Sequence, residues 1–355
     1  MDGGVRVDLL YPALRVRIRG VIATPGLGIS FQNFETADGN CGLEKSMSSG
    51  GELSLSVNVG GLLLENPVMV ASGTFGYGEE YATAIDLNCL GAVVVKGLSL
   101  KPREGYPRPR LCETPSGMLN AIGLENIGVE AFIREKLPFL KQFKTRVVAN
   151  IFGETIEEYQ EVARRLEVEG VHALEVNISC PNVKKGGISF GSDPRATFEV
   201  LSAVRKSVRL PVIAKLSPNV ADIREFALAA KAASVNAVSL VNTLVGMVID
   251  VNTQRPLLSA VSGGLSGPAI RPIAVRMVWE VARSVDLPII GMGGITRAED
   301  AIEFFLAGAT AVAIGTANFI NPRASVQILE GIRSYLTKRG YHDIRQIIGA
   351  VRIQP

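Results

Sequence analysis

Cys180 is the residue hardest to explain as packing. It lies between Ser179 and Pro181, where an apolar run (Ala173–Ser179, ALEVNIS) ends and a Gly- and Lys-rich segment, Val183-Lys184-Lys185-Gly186-Gly187, follows. A lone cysteine is usually a buried hydrophobe. Cations close in sequence can instead lower a thiol pKa from about 8.5, leaving two chemical options, nucleophile or general base. The other three cysteines carry less. Cys89 lies in the apolar stretch Leu87–Leu90 and reads as core, Cys112 sits in a polar loop beside Arg110 and Glu113, and Cys41 falls in an atypical N-terminal stretch. Four cysteines without a CxxC spacing and only two histidines (His172 and His342) argue against a zinc site and for a reducing compartment.

Other polar residues fall at one end of a series of apolar runs: Ser72, Lys96, Asn150, Asn177, Lys215 with Ser217, and Asn242 with Thr243. A Lys or Asn in a buried strand costs several kcal/mol unless it has a partner. A single Asn is more often a turn or cap residue. Many runs ending alike point instead to a polar ligand. The last two runs close on Gly293-Gly294 and Gly315-Thr316, each before a helical segment. Backbone N–H groups at such places cradle anions, so the ligand is expected to carry phosphate.

The elements that must position these residues are eight short β-branched runs: Pro67–Ser72, Ala92–Lys96, Arg146–Ile151, Ala173–Ser179, Pro211–Leu216, Ala237–Thr243, Pro288–Met292 and Thr310–Gly315. Each is followed by a longer segment of helical character. Continuous apolar strands alternating with helices imply a parallel sheet buried on both faces. Eight units over residues 53–355 allow about 38 residues each, which suits a closed (β/α)8 TIM barrel. An open doubly wound sheet is the alternative, weakened by the lack of a dinucleotide glycine fingerprint in a first βα unit. Glu154–Glu169 sets Ile156, Tyr159, Val162, Ala163 and Leu166 on one helical stripe, with Gly170 as the expected C-cap. Ala221–Ala233 and Arg297–Ala307 read likewise as helices. Connections 98–124, 180–194 and 244–268 are too long for plain loops. All three follow strands, on the face where a barrel carries its chemistry.

Composition narrows the class. The chain has 355 residues, 47% apolar, with 37 basic and 34 acidic side chains and a net charge of +3. That excludes general disorder and gives no electrostatic case for nucleic acid. No run of about 18 apolar residues is present, and Asp2 and Asp8 break any signal-peptide layout, so a soluble cytosolic protein is expected. Residues 1–52 differ from the rest. Val5–Asp8 and Val16–Arg19 alternate as strands do, and 24–52 are rich in Gly, Ser and Asn. Met47 begins Met-Ser-Ser-Gly-Gly, which would serve as a start. The expected division is a non-catalytic extension over 1–52 and a catalytic barrel over 53–355.

The segment Asn177-Ile178-Ser179-Cys180-Pro181-Asn182-Val183-Lys184-Lys185-Gly186-Gly187 closely resembles the catalytic loop of dihydroorotate dehydrogenases. Asn120-Ala121-Ile122-Gly123-Leu124-Glu125-Asn126 resembles their substrate loop. Ala71–Gly76, Val95-Lys96-Gly97, Ala214–Asn219, Val241-Asn242-Thr243, Gly263–Ala269, Gly293-Gly294 and Gly315-Thr316 fit in order, over about residues 53–345. The resemblance implies an FMN enzyme that oxidises dihydroorotate to orotate in pyrimidine biosynthesis. Membrane-bound members use Ser where this chain has Cys180. The Val-Lys-Lys-Gly-Gly run looks like the soluble NAD-linked class, whose barrel subunit pairs with an FAD and [2Fe-2S] subunit in a heterotetramer. The fumarate-using homodimers and a dihydropyrimidine dehydrogenase-type enzyme are the alternatives.

By the same resemblance, Cys180 is the general base and no covalent intermediate is needed. Lys215 is expected beside the flavin N1, where reduction places negative charge, and Lys96 touches flavin and substrate. Asn120, Asn177, Asn242 and Thr243, with backbone from Ala121, Ile122, Gly123 and Leu124, are expected to bind orotate, whose ring amides and carboxylate suit side chains that donate and accept. Ser72, Gly97, Asn150, Asn177, Val241 and Gly267 are expected to line FMN, and Gly293, Gly294, Gly315 and Thr316 to hold its phosphate. The loop 181–194 is expected to exclude water as a lid.

Overall fold

A computed structural model describes residues 53–178 and 190–353, together with two short antiparallel strands at Val21–Ala23 and Ile29–Phe31. The alternating stretches at 5–8 and 16–19, Met47, and the segment 179–189 lie outside the described residues.

Eight strands form the barrel: β1 (Val68–Val70), β2 (Ala92–Leu98), β3 (Arg146–Ile151), β4 (Ala173–Asn177), β5 (Val212–Lys215), β6 (Ala237–Leu240), β7 (Ile289–Met292) and β8 (Ala311–Ile314). Each pairs in parallel with the next, and β8 pairs with β1 to close the ring. The strands are apolar along nearly their whole length because both faces are covered, by the barrel interior on one side and by helices on the other. Helices Ile156–Arg165, Pro194–Ser207, Ile223–Ala232, Arg271–Ala282, Ala298–Ala307 and Ala324–Lys338 form much of the outer layer.

Local chemistry accounts for the helix ends. Thr155, Asp193 and Asp222 accept backbone N–H bonds in the first turns of their helices, which meets donors that no preceding turn can satisfy. Tyr159, Val162, Ala163 and Leu166 bury their stripe against the barrel. Gly308, at φ +118, terminates Ala298–Ala307 in the left-handed conformation. Gly170 is not the C-cap of Ile156–Arg165. That helix stops at Leu166, and Gly170, at φ +98, serves the turn that leads into β4.

One connection lacks the expected helix. Between β1 and β2 the described chain has turns and one three-residue 3-10 segment, Leu87–Cys89. Gly73, Gly76 and Gly78 disfavour helix there. The space is filled by Phe75 stacked on Tyr81 at 4.0 Å, with the Tyr81 hydroxyl donating to the Thr74 carbonyl.

The ends of the barrel are treated differently. A hairpin of Val57–Val59 and Leu62–Leu64 lies at the strand N-termini. Its Gly60 approaches the Asn236 carbonyl so closely that a Cβ would sit 2.0 Å away. At the strand C-termini, the two long connections build a four-stranded antiparallel sheet in the order Leu244–Gly246, Gly263–Ser266, Gly117–Asn120, Leu111–Thr114.

Candidate active site

A cavity of about 380 Å³ opens at the C-terminal end of the barrel, beneath the four-stranded sheet. Its size falls in the range of small-molecule and cofactor sites. Every residue expected to bind flavin or substrate outside 179–189 lines it. Ser217, also expected at a strand end, does not, and its hydroxyl instead accepts from the Asn219 N–H at 3.1 Å. Ser72, Lys96, Gly97, Asn150, Asn177 and Lys215 come from the ends of β1 to β5. Val241, Asn242 and Thr243 follow β6, and Gly293, Gly294, Gly315 and Thr316 follow β7 and β8. Asn120 through Leu124 and Gly267 come from the overlying loops. Cys180 lies outside the described residues.

The floor is a buried polar network. Lys215 is 5% exposed and Glu175 is 1% exposed. The Lys215 Nζ donates to Glu175 Oε2 and to Ser72 Oγ, both at 3.4 Å. Glu175 is also bonded by Asn150 Nδ2 at 2.6 Å and by Ser239 Oγ at 2.7 Å. Strand register produces this grouping, since it aligns Glu175 with Asn150 and Lys215 with Ser239. A buried ammonium persists where a carboxylate faces it, because either charge alone would pay a desolvation penalty of several kcal/mol.

The wall under the sheet holds the second cation. Lys96 Nζ lies 3.4 Å from Glu125 Oε2, and Arg110 Nη1 lies 3.0 Å from the same oxygen. The loop that carries Asn120 to Leu124 is pinned by Asn126. Its side chain donates to the Leu124 carbonyl and Ser99 Oγ at 2.9 Å and accepts from the Gly128 N–H at 2.8 Å. Asn120 donates to the Gly264 carbonyl at 3.1 Å, which ties that loop to the β6–β7 connection. The Tyr159 hydroxyl donates to the Asn177 carbonyl at 2.8 Å and sets the end of β4.

The glycine-rich end is held from behind. Gly293 and Gly294 have φ of +117 and +80, a region that side chains disfavour. A Cβ on Gly294 would fall within 3.0 Å of Arg271 and the Gly267 carbonyl. Asp300, fully buried, accepts from Thr296 N at 2.9 Å, Thr296 Oγ1 at 2.7 Å and Arg297 N at 3.1 Å, and its other oxygen meets the Arg271 guanidinium. Thr316 donates to Ser266 Oγ at 2.8 Å.

A family model described as dihydroorotate dehydrogenase matches residues 54–336. The chain belongs to the dihydroorotate dehydrogenase family. It is similar to proteins named dihydroorotate dehydrogenase B (NAD(+)), catalytic subunit. The one from Geotalea uraniireducens (strain Rf4) is 56% identical over 302 residues, 85% of this chain and 99% of that one. The one from Trichlorobacter lovleyi is 57% identical over 299 residues, 84% and 98% of the two chains. The one from Thermoanaerobacter sp. (strain X514) is 54% identical over 301 residues, 85% and 100%.

The residues present fit FMN, the flavin of this family. Gly73 and Gly315 face open space: a Cβ on Gly73 would meet nothing within 4 Å, and one on Gly315 only Ala71 at 3.8 Å. The cavity thus has bare backbone at one end, a buried cation on its floor and amide side chains along its wall, a donor set that suits a planar ring bearing a phosphate tail.

Sequence reasoning missed Glu175, Ser239, Glu125, Arg110 and Asp300. Glu175 had left a signal, an acid inside an otherwise apolar strand, ALEVN. The others need tertiary contacts to be found. Cys112 is not in a plain loop but in the outer strand Leu111–Thr114, where burial and then the Glu113 carboxylate push its thiol pKa up. A raised thiol pKa disfavours a reactive role.

Proposed function

We propose that this chain is the catalytic subunit of an NAD+-linked dihydroorotate dehydrogenase, oxidising (S)-dihydroorotate to orotate on FMN in pyrimidine biosynthesis. The observation that carries the reading is the meeting of both strand-end lysines, the amide side chains and the glycine-rich strand ends in one cavity. Family membership and the relatives' shared name support it.

Oxidation removes a proton from one ring carbon and a hydride from its neighbour, so a base must work on one side of the substrate and an acceptor on the other. Bound FMN would supply the hydride acceptor. Lys215 would present its ammonium where the acceptor gains negative charge. Lys96, already near Glu125 and Arg110, would meet the substrate carboxylate and the flavin edge. Asn120, Asn177, Asn242 and Thr243 would hold the pyrimidine ring by matched donors and acceptors, with the backbone of 121–124. Ser72, Gly97, Asn150, Val241 and Gly267 would contact the flavin, and Gly293, Gly294, Gly315 and Thr316 its phosphate. Cys180 would take the proton as thiolate, under the loop 181–194 acting as a lid that excludes water.

The acceptor rests on the Val-Lys-Lys-Gly-Gly run after Asn182 and on the relatives' printed name. Electrons would pass to NAD+ through a separate FAD and [2Fe-2S] subunit, in a heterotetramer built on a homodimer of this chain. The match from residue 54 supports a catalytic unit of 53–355, with 1–52 outside it. No helix among the described residues is long and apolar enough to cross a membrane. On the soluble NAD-linked reading, the compartment we propose is the cytoplasm.

The test is anaerobic mixing of the flavin-loaded chain with dihydroorotate. Bleaching of the visible flavin band is expected. A yellow protein that stays yellow would move the substrate to another pyrimidine, and a chain that takes up no FMN would overturn the reading.

A further inference from the structure

We propose that Glu175 is a positioning residue that sets the redox potential of the bound flavin by acting through Lys215. The proposal rests on the FMN reading above. Glu175 does not line the cavity, whereas Lys215 does. The carboxylate is anchored independently of the lysine, by Asn150 at 2.6 Å and Ser239 at 2.7 Å, from β3 and β6. The ammonium lies farther out, at 3.4 Å from both Glu175 and Ser72. Charge-assisted bonds of this type usually close to about 2.7–2.9 Å. The lysine is therefore held between a fixed anion below it and the cavity above it.

This arrangement controls how much positive charge the cavity floor presents. With Glu175 ionised, the buried pair is close to neutral and acts on the cavity as a dipole. Without the carboxylate's charge, Lys215 would present an uncompensated cation in a medium where charges are weakly screened. A cation beside a group that gains negative charge on reduction favours the reduced form. Glu175 therefore holds the potential down, and Lys215 holds it up.

A merely structural carboxylate predicts something different. Gln at 175 keeps the shape and an acceptor oxygen for Asn150 or Ser239 but removes the charge. The experiment first loads the full-length chain with FMN, since failure of the unaltered chain to take it up would sink the flavin reading rather than this inference. The loaded proteins are then equilibrated anaerobically with a redox dye of known potential. The ratio of reduced to oxidised flavin is read from the spectrum.

Glu175→Gln is expected to raise that ratio at least tenfold at a fixed potential, about 30 mV for a two-electron couple. Glu175→Asp, which keeps the charge, is expected to stay within about threefold of the unaltered protein. An unchanged ratio in fully loaded Glu175→Gln would overturn the proposal. Should that variant fail to fold or to hold FMN, Lys215→Met and the double variant Glu175→Gln/Lys215→Met decide. Lys215→Met leaves the anion alone and is expected to lower the ratio at least tenfold, and the double variant to restore most of it. A double variant indistinguishable from Lys215→Met, or one that cannot hold FMN, would assign Glu175 to scaffolding alone.

Discussion

At the scale of single residues, the site separates chemistry from placement. Cys180→Ala is expected to retain FMN and lose about 100-fold or more of its turnover near neutral pH, the usual contribution of a general base. Flavin content and steady-state rate measured on one sample check this, and undiminished turnover would remove Cys180 from that role. Gly294→Ala tests placement. Its φ of +80 and the neighbouring Arg271 and Gly267 leave no room for a methyl group, so flavin affinity is expected to fall while the barrel persists. Fluorescence titration of the apoprotein with FMN reads it. His172 gives a pH prediction at the opposite end of the barrel. Its Nδ1 accepts the Val147 N–H at 3.0 Å, and burial, then the Arg146 charge, push its pKa down. The unfolded chain therefore takes up a proton near pH 6.5 that the folded chain refuses, and stability falls as pH drops below that value. The urea midpoint is expected to drop between pH 7.5 and 5.5, and by less in His172→Gln.

At the scale of elements, the sheet over the cavity mouth joins two connections that are distant in sequence. Asn120 and Gly264 are register partners, and Asn120 also donates to the Gly264 carbonyl. A Cβ on Gly264 would fall 2.0 Å from Thr243 Oγ1. Gly264→Ala is therefore expected to displace Thr243 and raise the KM for dihydroorotate, with flavin content unchanged. Equal KM values would separate Thr243 from substrate binding. The helices of the outer layer follow simpler rules. Thr155→Ala removes the acceptor for the Glu158 N–H, at 3.2 Å, and is expected to cost about 1 kcal/mol of stability with no change in KM.

At the scale of the whole molecule, the barrel and its hairpin form one apolar core from Leu55 to Ile347. Ser54 continues it by pairing with residues near the C-terminus, its N–H on the His342 carbonyl at 2.9 Å and its carbonyl accepting from Ile344. Among the described residues, this closure is made from Ser54 onward. A chain of residues 53–355 is expected to match the full chain in melting temperature and FMN uptake. A loss of flavin on truncation would give residues 1–52 a part in the site.

The sequence by itself determined the eight-strand order and the strand-end positions of the polar residues. Both follow from local facts: β-branched runs buried on two faces make parallel strands, and a lysine or asparagine tolerated at their ends needs a ligand or a partner. It also determined the family, because the motif from Asn177 to Gly187 and the loop from Asn120 to Asn126 are contiguous. What the tertiary structure decided is pairwise. Glu175 meets Lys215, Asn150 and Ser239 only because the register of four parallel strands stacks them inside a closed ring, and no spacing along the chain encodes that. Glu125 reaches Lys96 and Arg110, and Asp300 meets Arg271, through loops whose paths depend on what they fold over. The missing helix between β1 and β2 has a different cause: Gly73, Gly76 and Gly78 already disfavour it locally, and the stacked Phe75–Tyr81 pair packs the space without one.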